Sequence, residues 1–194
     1  MTAAHRLNLV SVEDYLAGEL VSPVKREYLG GVVYAMAGAA NAHNAIASNI
    51  LVAIGSRLRG QKCRVFNSDT KIRIHLPNTR FYYPDASVIC RPNAPTDSFQ
   101  DEPAVIIEVL SNSTRRIDEA EKRDAYLTIP SLQVYLLVEQ SSAEVFAYRR
   151  KGQEFVGEVY EGMQAVIPLD EIGASLPLSE AYEAVTFVPE TPVE

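Results

Sequence analysis

Tryptophan is absent from this chain, and cysteine and histidine are scarce, with two and three residues. The missing tryptophan removes the usual sugar-stacking platform. That counts against a glycosidase, the reading in which a carboxylate pair would cleave a glycosidic bond. His5, His43 and His75 share no metal-ligand spacing, which argues against a zinc site. Cys63 and Cys90 stand on different predicted strands with no CxxC spacing, and they read as two buried free thiols in a reducing compartment. No long apolar run is present, so no membrane span is expected. Residues 1–9 lack the basic stretch and apolar run of a secretory signal, so a cytoplasmic location is expected.

Basic residues are also in short supply, and the net charge is −7. The deficit is local. From Gly152 to Glu194 there are nine acids and no Lys or Arg, while the first 151 residues hold 18 basic and 16 acidic side chains. Arg57 to Arg91 alone carries eight bases against Asp69 and Asp85. The body therefore tolerates a phosphate-backbone ligand without requiring one; a scattered solvated surface is the plain alternative. The chain is 47% hydrophobic and 22% charged, ordinary for a globular protein of one domain. That domain divides into a body of about residues 10–150 and an acidic segment, 152–194.

Periodicity supplies the elements. Ser11 is a helix cap, with Asp14 three residues on. Lys25 to Met36 reads as a hairpin turning at Gly30-Gly31. Ala42 to Leu58 is helical, with Ile46, Ile50, Ile54 and Leu58 on one stripe. Strands follow at Cys63 to Phe66, Thr70 to Leu76, Phe81 to Cys90 and Ala104 to Leu110. In the second of these, Lys71, Arg73 and His75 alternate with apolar residues and predict a wet, basic face. A helix from about Arg115 to Ile129 is capped within residues 111–114 and stopped by Pro130. Leu132 to Glu139 and Glu144 to Arg150 are strands, and the remainder reads as short edge strands with a loose acidic tail. The order predicts an α/β fold, a mixed sheet with helices on its faces and a parallel crossover from Ala104 to Glu139.

Two carboxylates interrupt this apolar pattern. Glu108 lies inside Ala104 to Leu110, and Asp85 inside Tyr82 to Ile89. A buried unpaired charge costs several kcal/mol, so each needs a partner, a metal or a raised pKa. On neighbouring strands they could share one ion, and oxygen donors suit Mg²⁺ or Mn²⁺. The competing structural reading is a core salt link for Glu108 and a turn position for Asp85. Lys122 shares a helical stripe with Arg115, Asp118, Tyr126 and Ile129. It can lean toward the sheet beside the acids, or simply pair with Asp118 at the surface.

The runs Tyr83-Pro84-Asp85, Ile106 through Arg116, Glu121 through Tyr126 and Ile129 through Val138 closely resemble the Uma-two family of restriction endonucleases, a bacterial branch of the PD-(D/E)XK nuclease superfamily. The resemblance extends upstream to Glu27 through Val33, the His43 helix and Asn67-Ser68-Asp69, and so covers roughly Val10 to Arg150. It implies a restriction-endonuclease-like sheet core flanked by helices. It implies a metal held by Asp85, Glu108 and the Val109 carbonyl, with Glu27 near the site. One departure stands out: Leu110 occupies the position two after Glu108 where the superfamily carries Lys. Lys122 resembles the relocated amine. Asp69 matches a family position as either a ligand or a turn residue.

The activity implied is metal-assisted phosphodiester hydrolysis of DNA, in which Lys122 aligns the attacking water. Lys71, Arg73, Arg115 and Arg116 are candidates for tracking the phosphates. Double-strand cutting makes a homodimer plausible on functional grounds. The alternative is an inactive nucleic-acid or protein-interaction module that retains the nuclease fold.

Overall fold

The computed structural model describes residues 9–111, 115 and 117–187. Helix α1 (Val12–Glu19) starts where the Ser11 hydroxyl accepts the Asp14 N–H at 3.0 Å. Strands β1 (Arg26–Leu29) and β2 (Val32–Ala35) form the expected hairpin. Its turn needs positive φ at both central residues, and Gly30 (+57°) and Gly31 (+103°) supply it. Helix α2 (Asn41–Arg57) buries Ile46, Ile50, Ala53 and Ile54, the predicted stripe.

Next come β3 (Arg64–Asn67), β4 (Lys71–Ile74), β5 (Arg80–Tyr82), β6 (Ala86–Ile89), the short β7 (Phe99–Gln100) and β8 (Pro103–Val109). A π-helical segment, Ile117–Lys122, runs directly into α3 (Arg123–Tyr126). Then follow β9 (Val134–Val138), β10 (Glu144–Lys151), β11 (Glu154–Glu161), β12 (Val166–Leu169), β13 (Ala174–Pro177) and α4 (Leu178–Ala181).

The central sheet has six strands in the order β11-β10-β9-β8-β6-β3. Strands β8 and β9 pair in parallel, as the crossover through the π-helix and α3 requires. The second sheet has the order β2-β1-β5-β4-β7. One face of the central sheet packs on α2, β12, β13 and α4 through residues such as Ile50, Val105, Ile107, Leu136 and Leu176. The opposite face packs on α3 and the second sheet through Ile72, Tyr82, Ile106, Leu110, Tyr126 and Tyr135. Alternation along β8 thus sends odd positions to one layer and even positions, including that of Glu108, to the other.

Several expectations are corrected. Phe81 to Cys90 is two strands in two sheets, because Pro84 has no N–H for a ladder and the chain crosses between sheets there. Residues 155–169 are not loose. β11 pairs with β10 along its whole length, and β12, β13 and α4 build one wall of the core. Cys63 and Cys90 are joined in a disulfide rather than free. The β3–β6 register sets Arg64 opposite Ile89, so one step further the two cysteines face each other. The cysteines therefore no longer support the reducing-compartment reading. The wet basic face of β4 does not form, since Lys71 is buried. The predicted helix begins as expected at Arg115, is π-helical over most of its length and ends at Tyr126; its capping residues 112–114 and Arg116 lie outside the described residues.

Candidate functional site

In the β6–β8 ladder Ala86 faces Ile107, and one step further Asp85 faces Glu108. The Val109 N–H donates to Asp85 Oδ2 at 2.7 Å, which ties the crossover at Pro84 to the end of β8. His43, in the first turn of α2, places Nε2 3.2 Å from the same oxygen. Its other nitrogen, Nδ1, is buried with no hydrogen-bond partner among the described residues.

Glu108 is only 3% exposed. Its Oε1 accepts from Lys122 Nζ at 3.3 Å and from the Tyr126 hydroxyl at 3.2 Å. Lys122 is 5% exposed. Its ammonium also lies 3.1 Å from Glu27 Oε1 and 3.2 Å from Asp118 Oδ1. The π-helical segment carries both Asp118 and Lys122 inward, one turn apart. Glu27 further accepts the Tyr83 N–H at 3.3 Å, the main-chain donor just before the crossover proline.

Charge in this cluster is unbalanced. Glu27, Asp85, Glu108 and Asp118 surround one ammonium. Burial pushes the Glu108 carboxyl well above its ordinary value, Lys122 opposes this, and Asp118, Asp85 and Glu27 push it further up. Burial alone would lower the Lys122 pKa, but Glu108, Glu27 and Asp118 outweigh it and hold the amine charged. Burial would likewise lower that of His43, and Asp85 reverses the shift. A cluster with this excess of carboxylate is stabilised by a proton or by a cation.

The donors fit a hard divalent ion. Lys122 and Tyr126 both occupy Oε1 of Glu108, and Val109 and His43 both occupy Oδ2 of Asp85. This leaves the second oxygen of each carboxylate for an ion. Among the described residues no three His, Cys, Asp or Glu side chains stand ready to chelate an ion by themselves. The set on offer is two carboxylates, the Val109 carbonyl and water, a pattern typical of Mg²⁺ sites. A cavity of about 290 Å³ opens here, lined by His43, Tyr83, Asp85, Glu108, Val109 and Lys122.

The structure thus gathers Glu27, Asp85, Glu108, Val109 and Lys122. It does not assemble the predicted basic track. Lys71 is buried, with its ammonium 5.3 Å from the centre of the Tyr83 ring, and burial lowers its pKa. Arg73 is clamped on Asp101 at 2.7 and 2.8 Å. Arg115 is held by Glu139 at 2.6 Å and by Glu119 at 3.1 Å. Arg116 lies outside the described residues. Asp69 is an exposed turn residue paired with Lys25 at 2.7 Å. Sequence reasoning did not assign roles to His43, Asp118 or Tyr126. Asp118 and Tyr126 were visible as neighbours of Lys122 on one helical stripe, whereas no local pattern distinguishes His43.

Residues 12–179 match the family model Uma2, described as "Putative restriction endonuclease". Two uncharacterized proteins of Synechocystis sp. are related. One is 34% identical over 92% of this chain and 94% of its own length, the other 31% identical over 74% and 82%. A solved structure described as a "putative nuclease belonging to DUF820", from Anabaena variabilis, superposes with a TM-score of 0.72 at 19% identity. It covers 91% of this chain and 99% of that one, which establishes the shared fold. With the family model spanning most of its length, the chain belongs to the Uma2 family.

Proposed function

We propose that this chain is a Mg²⁺- or Mn²⁺-dependent DNA endonuclease. The observation that supports it is the convergence of Asp85, Glu108 and Lys122 on one cavity at the ends of adjacent strands. Asp85, Glu108 and the Val109 carbonyl would hold the ion. A bound divalent ion supplies Lewis-acid charge to a phosphate and makes water more acidic. The protein groups do the positioning. Val109 N–H and His43 fix Asp85; Tyr126 fixes Glu108. Glu27 and Asp118 hold the Lys122 ammonium, which orients the attacking water and offsets charge developing on the phosphate. Cutting both strands of a duplex takes two such sites, and a homodimer would provide them.

The rival reading, an inactive module, drew on the missing Lys at position 110. Leu110 is fully buried in the core, and the Lys122 amine stands 3.3 Å from Glu108 instead. That contact favours turnover. Incubation of supercoiled plasmid with the protein and Mn²⁺ or Mg²⁺ is expected to yield nicked or linear DNA. Glu108→Ala should lower the rate on the order of 100-fold or more. Cleavage that survives in EDTA or in this variant overturns the proposal, and no cleavage under any condition favours the inactive module.

A further inference from the structure

A second cavity adjoins the first, and the two share Met36, Ala37, Asp118 and Lys122. It is about 420 Å³ and is lined by Tyr34, Met36, Tyr82, Ile117, Glu121 and Lys122, among others. Tyr34 sits on β2, the edge strand of the second sheet. It pairs across the hairpin with Glu27, so both side chains lie on the same face, and Glu27 holds Lys122 at 3.1 Å. The ring is therefore on the side of the reaction centre. Yet Tyr34 is 53% exposed, and Ile117, at the start of the π-helix, is 45% exposed. Tyr15 and Tyr28, on the opposite face of this sheet, are 1% and 5% exposed. An aromatic ring and an aliphatic side chain thus stand bare at the mouth of the proposed catalytic cavity, with the Glu121 carboxylate on the same wall.

We infer that this slot receives an unpaired nucleobase next to the scissile phosphate, so that the preferred substrate is single-stranded DNA or DNA with unpaired nucleotides. The inference rests on the nuclease reading and specifies its substrate. Its warrant is continuity: a polymer whose phosphate lies beside Lys122 has a neighbouring base within reach of the same cavity. A base stacked inside a duplex cannot enter a slot, whereas an unpaired base gains a ring face on Tyr34. The slot wall is mostly uncharged, which suits a base and not a second phosphate. Glu121 offers an acceptor; one of its oxygens already takes the Tyr82 hydroxyl at 3.0 Å. An acceptor there favours bases bearing an exocyclic amine, cytosine, adenine and guanine, over thymine.

The test uses the full chain in EDTA, so that binding is read without cleavage. Fluorescence anisotropy with labelled oligonucleotides of about 12 nucleotides, a length within common single-strand site sizes, compares dC, dA and dT strands with a blunt duplex. Single strands should bind more tightly than duplex, and dC and dA more tightly than dT. Tyr34→Ala should weaken single-strand binding about tenfold, the scale of one lost base–aromatic stack, and Tyr34→Phe should restore it. A 2-aminopurine strand should lose fluorescence on binding the wild type and keep it on Tyr34→Ala, a signal that a merely structural role would not produce. Equal binding by wild type and Tyr34→Ala with unchanged 2-aminopurine signal overturns the inference. So does a shift of Tyr34→Ala from dimer to monomer in sedimentation, which would assign the face to a second copy. Failure of the nuclease reading is seen separately, as wild-type protein that binds strands but cuts none with Mn²⁺.

Discussion

Glu108 is destabilising by itself and stabilising in combination. Buried among other acids, it holds its proton more tightly in the folded chain than in the unfolded one. Its contribution to stability is therefore complete below its ordinary value of 4.5 and is lost as pH rises through the raised folded value. Lys122 is also raised, so its stabilisation is intact below 10.5 and is lost only in more alkaline solution. Over the range from about pH 5 to about pH 8, only the Glu108 contribution should change. Scanning calorimetry of metal-free protein should show a falling Tm across that window, and Glu108→Gln should flatten the fall. Adding Mn²⁺ at the upper end should raise the wild-type Tm, because an ion that binds only the folded state stabilises it. Parallel pH slopes for wild type and variant would count against the assigned role of Glu108.

Among the elements, the crossover at Tyr83-Pro84-Asp85 and the π-helical segment do most to build the site. The first leaves one sheet and enters another, delivering Asp85 to the end of β8; the second brings Asp118 and Lys122 under the same strand. The disulfide pins β3 to β6, the strand that carries the crossover. Its partners are separated by 27 residues, and closing a loop of that size in the unfolded chain is worth about 2–4 kcal/mol. Cys63→Ser with Cys90→Ser should lower stability by that amount in urea titration. Unfolded wild type should show no free thiol to Ellman's reagent.

Elements with a clean period were legible in sequence: the stripe of α2, the Gly30-Gly31 hairpin and the parallel β8–β9 pair. So were Asp85 and Glu108, because a charge inside an apolar strand breaks its pattern. The split of Phe81 to Cys90 was not legible, since alternation continues through Pro84 whether or not the strand changes sheet. Lys71 was misread for a related reason. Period two tells which face a side chain takes, and only the tertiary fold tells what covers that face; here burial beside Tyr83 does so. His43 depends on α2 reaching the crossover, a contact between residues 42 positions apart that no local pattern records.

At the scale of the molecule, the acidic C-terminal segment is structural. Ile167, Leu169, Leu176, Leu178 and Tyr182 are all at most 1% exposed. Arg57 on α2 is bound to Glu180 at 2.6 Å, and buried Arg149 on β10 is bound to Glu171 at 2.6 Å. The acids of this segment thus neutralise bases of the body, which explains why charge separates along the chain without separating in space. Burial of those five side chains is worth roughly 2 kcal/mol each, comparable with the whole stability of an ordinary domain. A chain ending at Lys151 should therefore fail to show a cooperative thermal transition, and a native-like melt for that truncation would contradict the assignment of residues 152–187 to the core.

Calorimetric titration of Mn²⁺ into the protein addresses the site most directly. The account predicts saturable binding to the wild type, loss of that heat in both Asp85→Ala and Glu108→Ala, and retention of binding without plasmid cleavage in Lys122→Met. Identical Mn²⁺ heats in the wild type and both carboxylate variants, or none in any of them, would contradict it.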